Sequence, residues 1–390
     1  MNKKHKIIIN DYSGLPSIFD LAAKLALNGY QITYITSKQV NLGGNYYKTY
    51  SKNKNLNIKF IKTKSKIKKD SFFSRRNIEI EYGERSWEII STIKPKYCFF
   101  ISLPIDPLYD LIKKNNKNEI KSIFWIQDIY FLAIKEVINS KIPVIGTLIS
   151  KIYQYKENYC YNNSFKNILI DKTFNQHFSN KRNDNILIKN WIPRETRLFS
   201  NQKNNFFNKF KKEYRKIYVY AGTIGYKHSP KIFIKLSKLI KDSLIIVISS
   251  GKFFNQLKKV INEQNLKNIK LLNRFNSFQQ LLKHLNKNLI GLVHINKHAS
   301  SYSVPSKILT YINCGMPIVG FIPKKNQAAQ IIQKNNLGVI LDNNNLDKIN
   351  QINTSKFKMM SKNCFNYANK NFNTKIILNK IKKQIINDKN

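Results

Sequence analysis

Short apolar runs separated by amphipathic stretches recur along this chain, and that alternation restricts the fold more than any single residue does. The chain opens with a predicted strand over residues 6–10, a loop over 11–15, a helix over 16–28 and a second strand over 31–36. Ile18, Leu21, Ala22 and Leu25 form the i, i+3, i+4, i+7 stripe of a helix with one apolar face. Gly29 falls at the C′ position, where a helix ends in left-handed backbone. More strands are predicted at 56–61, 97–102, 121–126 and 167–170, with helices at 79–93, 106–115 and 144–159. Strands that are apolar throughout are buried on both faces, which a parallel sheet covered by helices provides.

The pattern pauses around Asn190-Trp191-Ile192-Pro193, and the Asn- and Lys-rich stretch 200–215 reads as an exposed linker. A second series then runs through strands at 216–221, 244–249, 269–272, 289–295, 318–321 and 339–341. Its helices are predicted at 230–241, 252–262, 277–285, 305–313 and 326–334, and a basic helix over 373–387 closes the chain. At 390 residues the chain is too long for one core, since domains run to about 150 residues. The expected organisation is an N-terminal Rossmann-like domain over 1–195, a second over 196–372, and a terminal basic helix over 373–390 that packs its Ile376, Ile377 and Ile381 stripe back on the first domain. The fold class is therefore α/β, two doubly wound halves of comparable size.

Two turns in the second half have the makings of a phosphate site. Ser303-Val304-Pro305-Ser306-Lys307-Ile308-Leu309-Thr310-Tyr311 puts a proline, a hydroxyl and an ammonium at the start of a predicted helix. Pro305 suits the first helical position, whose amide hydrogen has no partner within the helix, and the free N–H groups of a first turn attract an anion. Gly222-Thr223-Ile224-Gly225-Tyr226-Lys227-His228 follows the strand 216–221 and precedes another helix. Ligands of open α/β sheets bind beyond the carboxyl ends of the strands, so these two turns are expected to face one diphosphate. An ordinary helix N-terminus and an ordinary strand-to-helix loop have the same residues, and each motif alone leaves that alternative open.

The charge is extreme: 68 Lys and Arg against 22 Asp and Glu give a net +46, which favours anionic partners. The abundance of Lys, Asn, Ile, Tyr and Phe beside scarce Gly, Pro, Ala and Arg is also the bias of an AT-rich genome, though such a bias does not place charges in clusters. A hydrophobic fraction of 42% excludes a disordered chain. Cys98, Cys160, Cys314 and Cys364 are scattered without metal-ligand spacing, which points to reduced thiols and no metal site. No apolar run approaches the roughly 18 residues of a membrane span, and the first residues lack a signal peptide, so a cytoplasmic location is expected.

The order of these motifs resembles that of GT-B glycosyltransferases of family 4. Gly222-Thr223, Gly225, Lys227-His228, then Gly251, then Pro305-Ser306-Lys307 with Leu309, Tyr311, Gly315 and Pro317 resemble the family's donor domain. In the first half Gly14-Leu15-Pro16-Ser17, the Trp125-Ile126-Gln127-Asp128 element and Asn190-Trp191-Ile192-Pro193 are similar to the branch that builds O-antigen, capsule and colanic-acid-like polysaccharides. The resemblance spans nearly the whole chain. It implies two lobes across a cleft, the second holding a nucleotide diphosphate sugar and the first holding the acceptor, with retaining transfer and no metal or other cofactor. By that resemblance Lys227 and Lys307 counter the charge of the departing diphosphate. Ser306, Gly222, Thr223, Gly225 and Pro305 line the phosphates, and His228 bonds a phosphate or sugar hydroxyl. Gly251 belongs to the donor lobe, while Arg274 and Phe275 match where the base is held, a core role being the alternative for Phe275. Gly14 approaches the phosphates from the first lobe. Asp128 orients an acceptor hydroxyl or takes its proton, or else caps a helix; Asp11 is a turn residue.

The chain departs from the family in one respect. Much of the family carries a pair of glutamates before the position of Gly315, the second gripping the ribose; here Tyr302 and Thr310 stand at those positions, leaving Thr310 to bond a hydroxyl. Between Lys62 and Arg76 lies a basic segment with Lys66, Lys68, Lys69, Phe72, Phe73, Arg75 and Arg76, which suits an anionic membrane surface. An acceptor on a polyprenyl-diphosphate carrier would place the protein there, peripherally on the inner face of the cell membrane. Two other functions share parts of the pattern. A nucleotide-sugar 2-epimerase has the same architecture, and a nucleic-acid binder would use the same charge, but no nucleic-acid-binding motif is present.

Overall fold

The computed structural model describes residues 5–40, 53–64, 72–139, 143–197, 206–224, 230–250, 252–273, 278–342 and 344–386. The chain divides into two compact units, one of Met1–Asn190 with Thr374–Asn390 and one of Trp191–Asn373.

Unit 1 contains β1 (Lys6–Asp11), α1 (Pro16–Leu27), β2 (Gln31–Ser37), β3 (Leu56–Ile61), α2 (Phe72–Ile93), β4 (Tyr97–Ile101) and α3 (Ile105–Lys117). It continues with β5 (Lys121–Ile126), α4 (Tyr130–Asn139), α5 (Pro143–Asn163), β6 (Lys166–Leu169) and β7 (Ile186–Leu187). The seven strands lie in the order β3-β2-β1-β4-β5-β6-β7, and every pairing is parallel. β1, β4 and β5 are buried almost end to end, as continuous apolar strands covered on both faces must be. The α1 stripe faces the core with Ile18, Leu21, Ala22 and Leu25 all buried, and Gly29 takes φ +87° just past the helix, so the C′ reading holds.

Unit 2 contains β8 (Lys216–Ala221), α6 (Lys231–Leu239), β9 (Ser243–Ser249), α7 (Lys252–Glu263), β10 (Ile269–Asn273), α8 (Phe278–Leu282) and β11 (Ile290–His294). It is completed by α9 (Lys307–Asn313), β12 (Ile318–Phe321), α10 (Gln327–Lys334), β13 (Gly338–Ile340) and α11 (Thr354–Asn371). Its six parallel strands run β10-β9-β8-β11-β12-β13, with a core of Tyr218, Val247, Leu292 and Val319 between the helical layers. The chain then returns to unit 1 as α12 (Thr374–Ile381), followed by a π-helical turn at Lys382–Ile386.

Several expectations need correction. The stretch expected as an exposed linker buries Phe207 and Phe210 in a short 3-10 turn, where the amide of Phe206 donates to His284 Nδ1 at 3.1 Å. α2 starts at Phe72, seven residues earlier than the 79–93 prediction, because Arg75 and Glu79 pair across one helical turn. α4 and α11 were not foreseen. In the terminal helix Ile377 and Ile381 are buried as expected, but Ile376 is exposed and Leu378, Ile385 and Ile386 complete the buried face. All four cysteines are buried and none is in a disulfide.

Candidate functional site

In unit 2 the strand order reverses between β8 and β11, and a doubly wound sheet opens its ligand crevice at that reversal. The two turns singled out in the sequence flank it: Gly222 ends β8, and Lys307 begins α9 after β11. They meet. A Cβ built on Gly222 would lie 3.3 Å from Lys307 Cε and 3.4 Å from its Nζ, and Gly222 has φ +142°, where a side chain is strained.

The turn is fastened from beneath. Tyr311, one helical turn beyond Lys307, accepts a hydrogen bond on its hydroxyl from the amide of Ala221 at 2.9 Å. Its ring occupies the place a side chain at residue 291 would take, with Cδ2 2.3 Å from a Cβ built on Gly291. The amide of Ile224 donates to Ser249 Oγ at 3.1 Å, and Tyr220 donates from its hydroxyl to the carbonyl of Thr223 at 3.1 Å. α9, β8 and the end of β9 thus hold one loop by side-chain contacts as well as by the sheet.

Lys307 is the chemical centre of this arrangement. Its Nζ is inaccessible and has no hydrogen-bond partner among the described residues, while it sits 3.7 Å from the centre of the Tyr220 ring. Burial pushes the amine down to about 7 from the ordinary lysine value. Burial, then the charge of Lys307, holds His294 down to about 4. A buried ammonium costs several kcal/mol unless an anion meets it, and the π face of Tyr220 offsets only part of that cost. The position is therefore poised for a bound anion.

The helix itself contributes less than its sequence suggests. α9 begins at Lys307, with Ser306 as N-cap, so Pro305 precedes the cap and is not the first helical residue. Seven residues make about two turns, too short for a strong dipole, and the charge at the site is that of Lys307. Ser306 is exposed and its hydroxyl makes no capping bond. Tyr302 and Thr310, which replace the family's glutamates, are both buried. Gly225, Lys227, His228, Gly251, Arg274 and Phe275 lie outside the described residues.

The candidates of the first half lie in unit 1. Gly14 follows β1 with φ +64°, and its amide donates back to Asp11, to the carbonyl at 3.1 Å and Oδ1 at 3.2 Å. What Gly14 offers a ligand is therefore its missing side chain and not its amide. Asp11 is more than a turn residue: it also accepts from Leu15 N at 2.6 Å and from the Tyr34 hydroxyl at 2.8 Å, organising the loop that enters α1. Burial outweighs those bonds and pushes its carboxyl up to about 7.

Asp128 is half-buried just past β5. The amides of the first turn of α4, on Tyr130 and Phe131, donate to Glu157 of α5 at 3.0 and 2.9 Å, so this glutamate caps α4. Burial, and secondarily the charge of Asp128, pushes Glu157 up to about 8. Lys66, Lys68 and Lys69 lie outside the described residues, and the side chains of Phe72 and Phe73, which open α2, are outside them too. Arg75 pairs with Glu79 at 2.7 Å and Arg76 with Asp106 at 2.6 Å. Sequence reading missed Tyr220, His294 and Glu157. Of these only Tyr220 left a trace, as an aromatic two places before the strand-ending glycine.

Residues 236–384 match a family model described as glucosyltransferase 3-like, C-terminal domain. No curated protein matches the chain by sequence. Among solved structures, HepE from Anabaena, in complex with UDP and glucose, aligns over 98% of this chain and 99% of its own at 13% identity and a TM-score of 0.67. WaaG, a glycosyltransferase involved in lipopolysaccharide biosynthesis, aligns over 96% and 99% at 12% identity and a TM-score of 0.63. A putative UDP-N-acetylglucosamine 2-epimerase from Listeria monocytogenes aligns over 97% and 96% at 8% identity and a TM-score of 0.60. With two parallel α/β sheets of seven and six strands and these full-length likenesses, the chain has the GT-B fold.

Proposed function

We propose that this protein is a retaining, metal-independent glycosyltransferase of the family 4 type. It moves a sugar from a UDP-linked donor held by unit 2 to a lipid-linked saccharide held by unit 1, in the assembly of a cell-surface polysaccharide such as O-antigen or capsule. The observation that carries this reading is the buried Lys307 ammonium, without a hydrogen-bond partner among the described residues, against Gly222 at the strand reversal of unit 2. Departure of a nucleoside diphosphate builds negative charge, and a fixed cation in a dry pocket stabilises that charge far better than a solvated one. Lys227, in the partner turn, supplies the second cation. The glycine approach admits phosphate oxygens, and the Ser306 hydroxyl adds a donor. Transfer with retention places the new bond on the face from which UDP leaves, and a phosphate oxygen of the departing group takes the acceptor proton, with Asp128 orienting the acceptor hydroxyl.

The test is a nucleotide panel read by thermal shift. UDP is expected to stabilise the protein, with chelation of divalent metals changing nothing, and Lys307→Ala is expected to diminish the shift. A tenfold loss of affinity corresponds to about 1.4 kcal/mol of lost stabilisation. Equal shifts in wild type and variant would remove Lys307 from the site. The likeness to a 2-epimerase gives a second reading its own check, since conversion of free UDP-sugar without any acceptor would favour it.

A further inference from the structure

Of the eight large hydrophobic side chains exposed among the described residues, three lie on one helix. Leu148, Ile152 and Tyr155 of α5 are 64, 51 and 64% exposed. Standing at i, i+4 and i+7, they form one stripe along the helix. Other positions of α5 are engaged: Glu157 caps α4, Cys160 is buried, and Tyr153 and Lys156 both bind Asp106. The stripe is thus a second apolar face, where scattered single residues would need no explanation.

Its margin is aromatic and cationic. Lys151 is exposed between Leu148 and Ile152. The ring of Tyr109, on α3, lies 6.5 Å from that of Tyr155, and Lys113 holds its ammonium 5.0 Å over Tyr109. Aliphatic side chains at the centre, tyrosines with one wet end, and lysines at the rim match the layers of a headgroup region. A second copy of this chain would bring a like-charged partner, since each chain carries a net +46, whereas an anionic lipid surface is attracted by that charge.

We propose that this face of α5 seats the protein on an anionic bilayer, with Leu148, Ile152 and Tyr155 entering the headgroup layer and Lys151 and Lys113 meeting lipid phosphates. The biological purpose rests on the lipid-linked acceptor proposed for the enzyme, but the docking face is argued from α5 and its neighbours alone.

Sedimentation with vesicles of phosphatidylglycerol and phosphatidylcholine tests it. The wild type is expected to bind these vesicles and to bind pure phosphatidylcholine weakly. Leu148→Ser, Ile152→Ser and Tyr155→Ser together are expected to reduce partition by about 30-fold or more, with an unchanged melting temperature and UDP response. Tyr155→Trp is expected to raise partition about threefold, a gain that no misfolded variant would give. Equal partition of wild type and triple variant would overturn the proposal, and so would a wild type that ignores vesicles but loses a dimer on triple substitution. Vesicle binding that depends on the stripe in a protein that ignores UDP would sustain the docking face and sink the transferase reading. A UDP response without vesicle binding would do the reverse.

Discussion

If a donor diphosphate binds at Lys307 as proposed, its binding is a proton-linked event. Burial holds its amine down to about 7, and a bound diphosphate restores it toward the ordinary lysine value. The ligand prefers the charged form, so affinity is fully present below the free-state value and falls as pH climbs through it, by up to a factor of ten per unit. His294, held near 4, stays neutral over that range and adds no slope. Calorimetry between about pH 6.5 and 9 is therefore expected to show UDP affinity falling roughly tenfold or more, with uptake of a proton at the upper end. In Lys307→Met both effects should vanish, and a flat wild-type profile would mean that the amine is charged before UDP arrives. The position of this lysine was legible because its neighbours Pro305 and Ser306 mark a turn. Its burial was not, because that depends on Tyr220, which lies on another element and far away in sequence.

At the scale of elements, most strands were legible as apolar runs, and β3, β5, β8 and β12 begin and end where the sequence places them. Boundaries set by contacts distant in sequence were not. β7 has only Ile186 and Leu187 and no periodicity to read, and α4 takes its N-terminal cap from Glu157 on the following helix. That capping glutamate has a pH signature. Its carboxyl is pushed up to about 8 from the ordinary value of 4.5, so the folded state keeps a proton that the unfolded state has lost between those values. Its contribution to stability is present below the unfolded value and is lost as pH rises through the folded one. Asp11, raised to about 7 by burial, works in the same direction and leaves a residual slope. Urea titrations of Glu157→Gln are expected to show a shallower loss of stability between about pH 5 and 8 than the wild type shows, with little change near pH 5. An identical slope would mean that Glu157 is ionised in the folded protein.

At the scale of the whole molecule, the chain leaves unit 1 at Asn190 and returns to it at Thr374, so the fold of the first unit is completed only by residues that follow all of the second. The sequence predicts a terminal helix whose short, lysine-flanked apolar stripe packs back on the first domain. Contacts in unit 1 hold it. α12 packs on α1, the Tyr97 hydroxyl donates to the carbonyl of Ile386 at 3.2 Å, and Lys380 Nζ donates to the carbonyl of Leu187 at 2.7 Å. Ile377, Leu378, Ile381, Ile385 and Ile386 are all buried. Each such side chain contributes about 1.5 to 3 kcal/mol by area, an upper bound because the unfolded chain is itself partly collapsed. For the five together that upper bound is about 7 to 15 kcal/mol, comparable with the whole stability of an ordinary domain. Ending the chain after Asn373 should therefore unfold unit 1 near body temperature and leave unit 2 with its donor turn. Scanning calorimetry of the truncated chain is expected to show one surviving transition, still raised by UDP, and no sugar transfer. Two transitions at their full-length temperatures would mean that the returning segment adds nothing to the first unit.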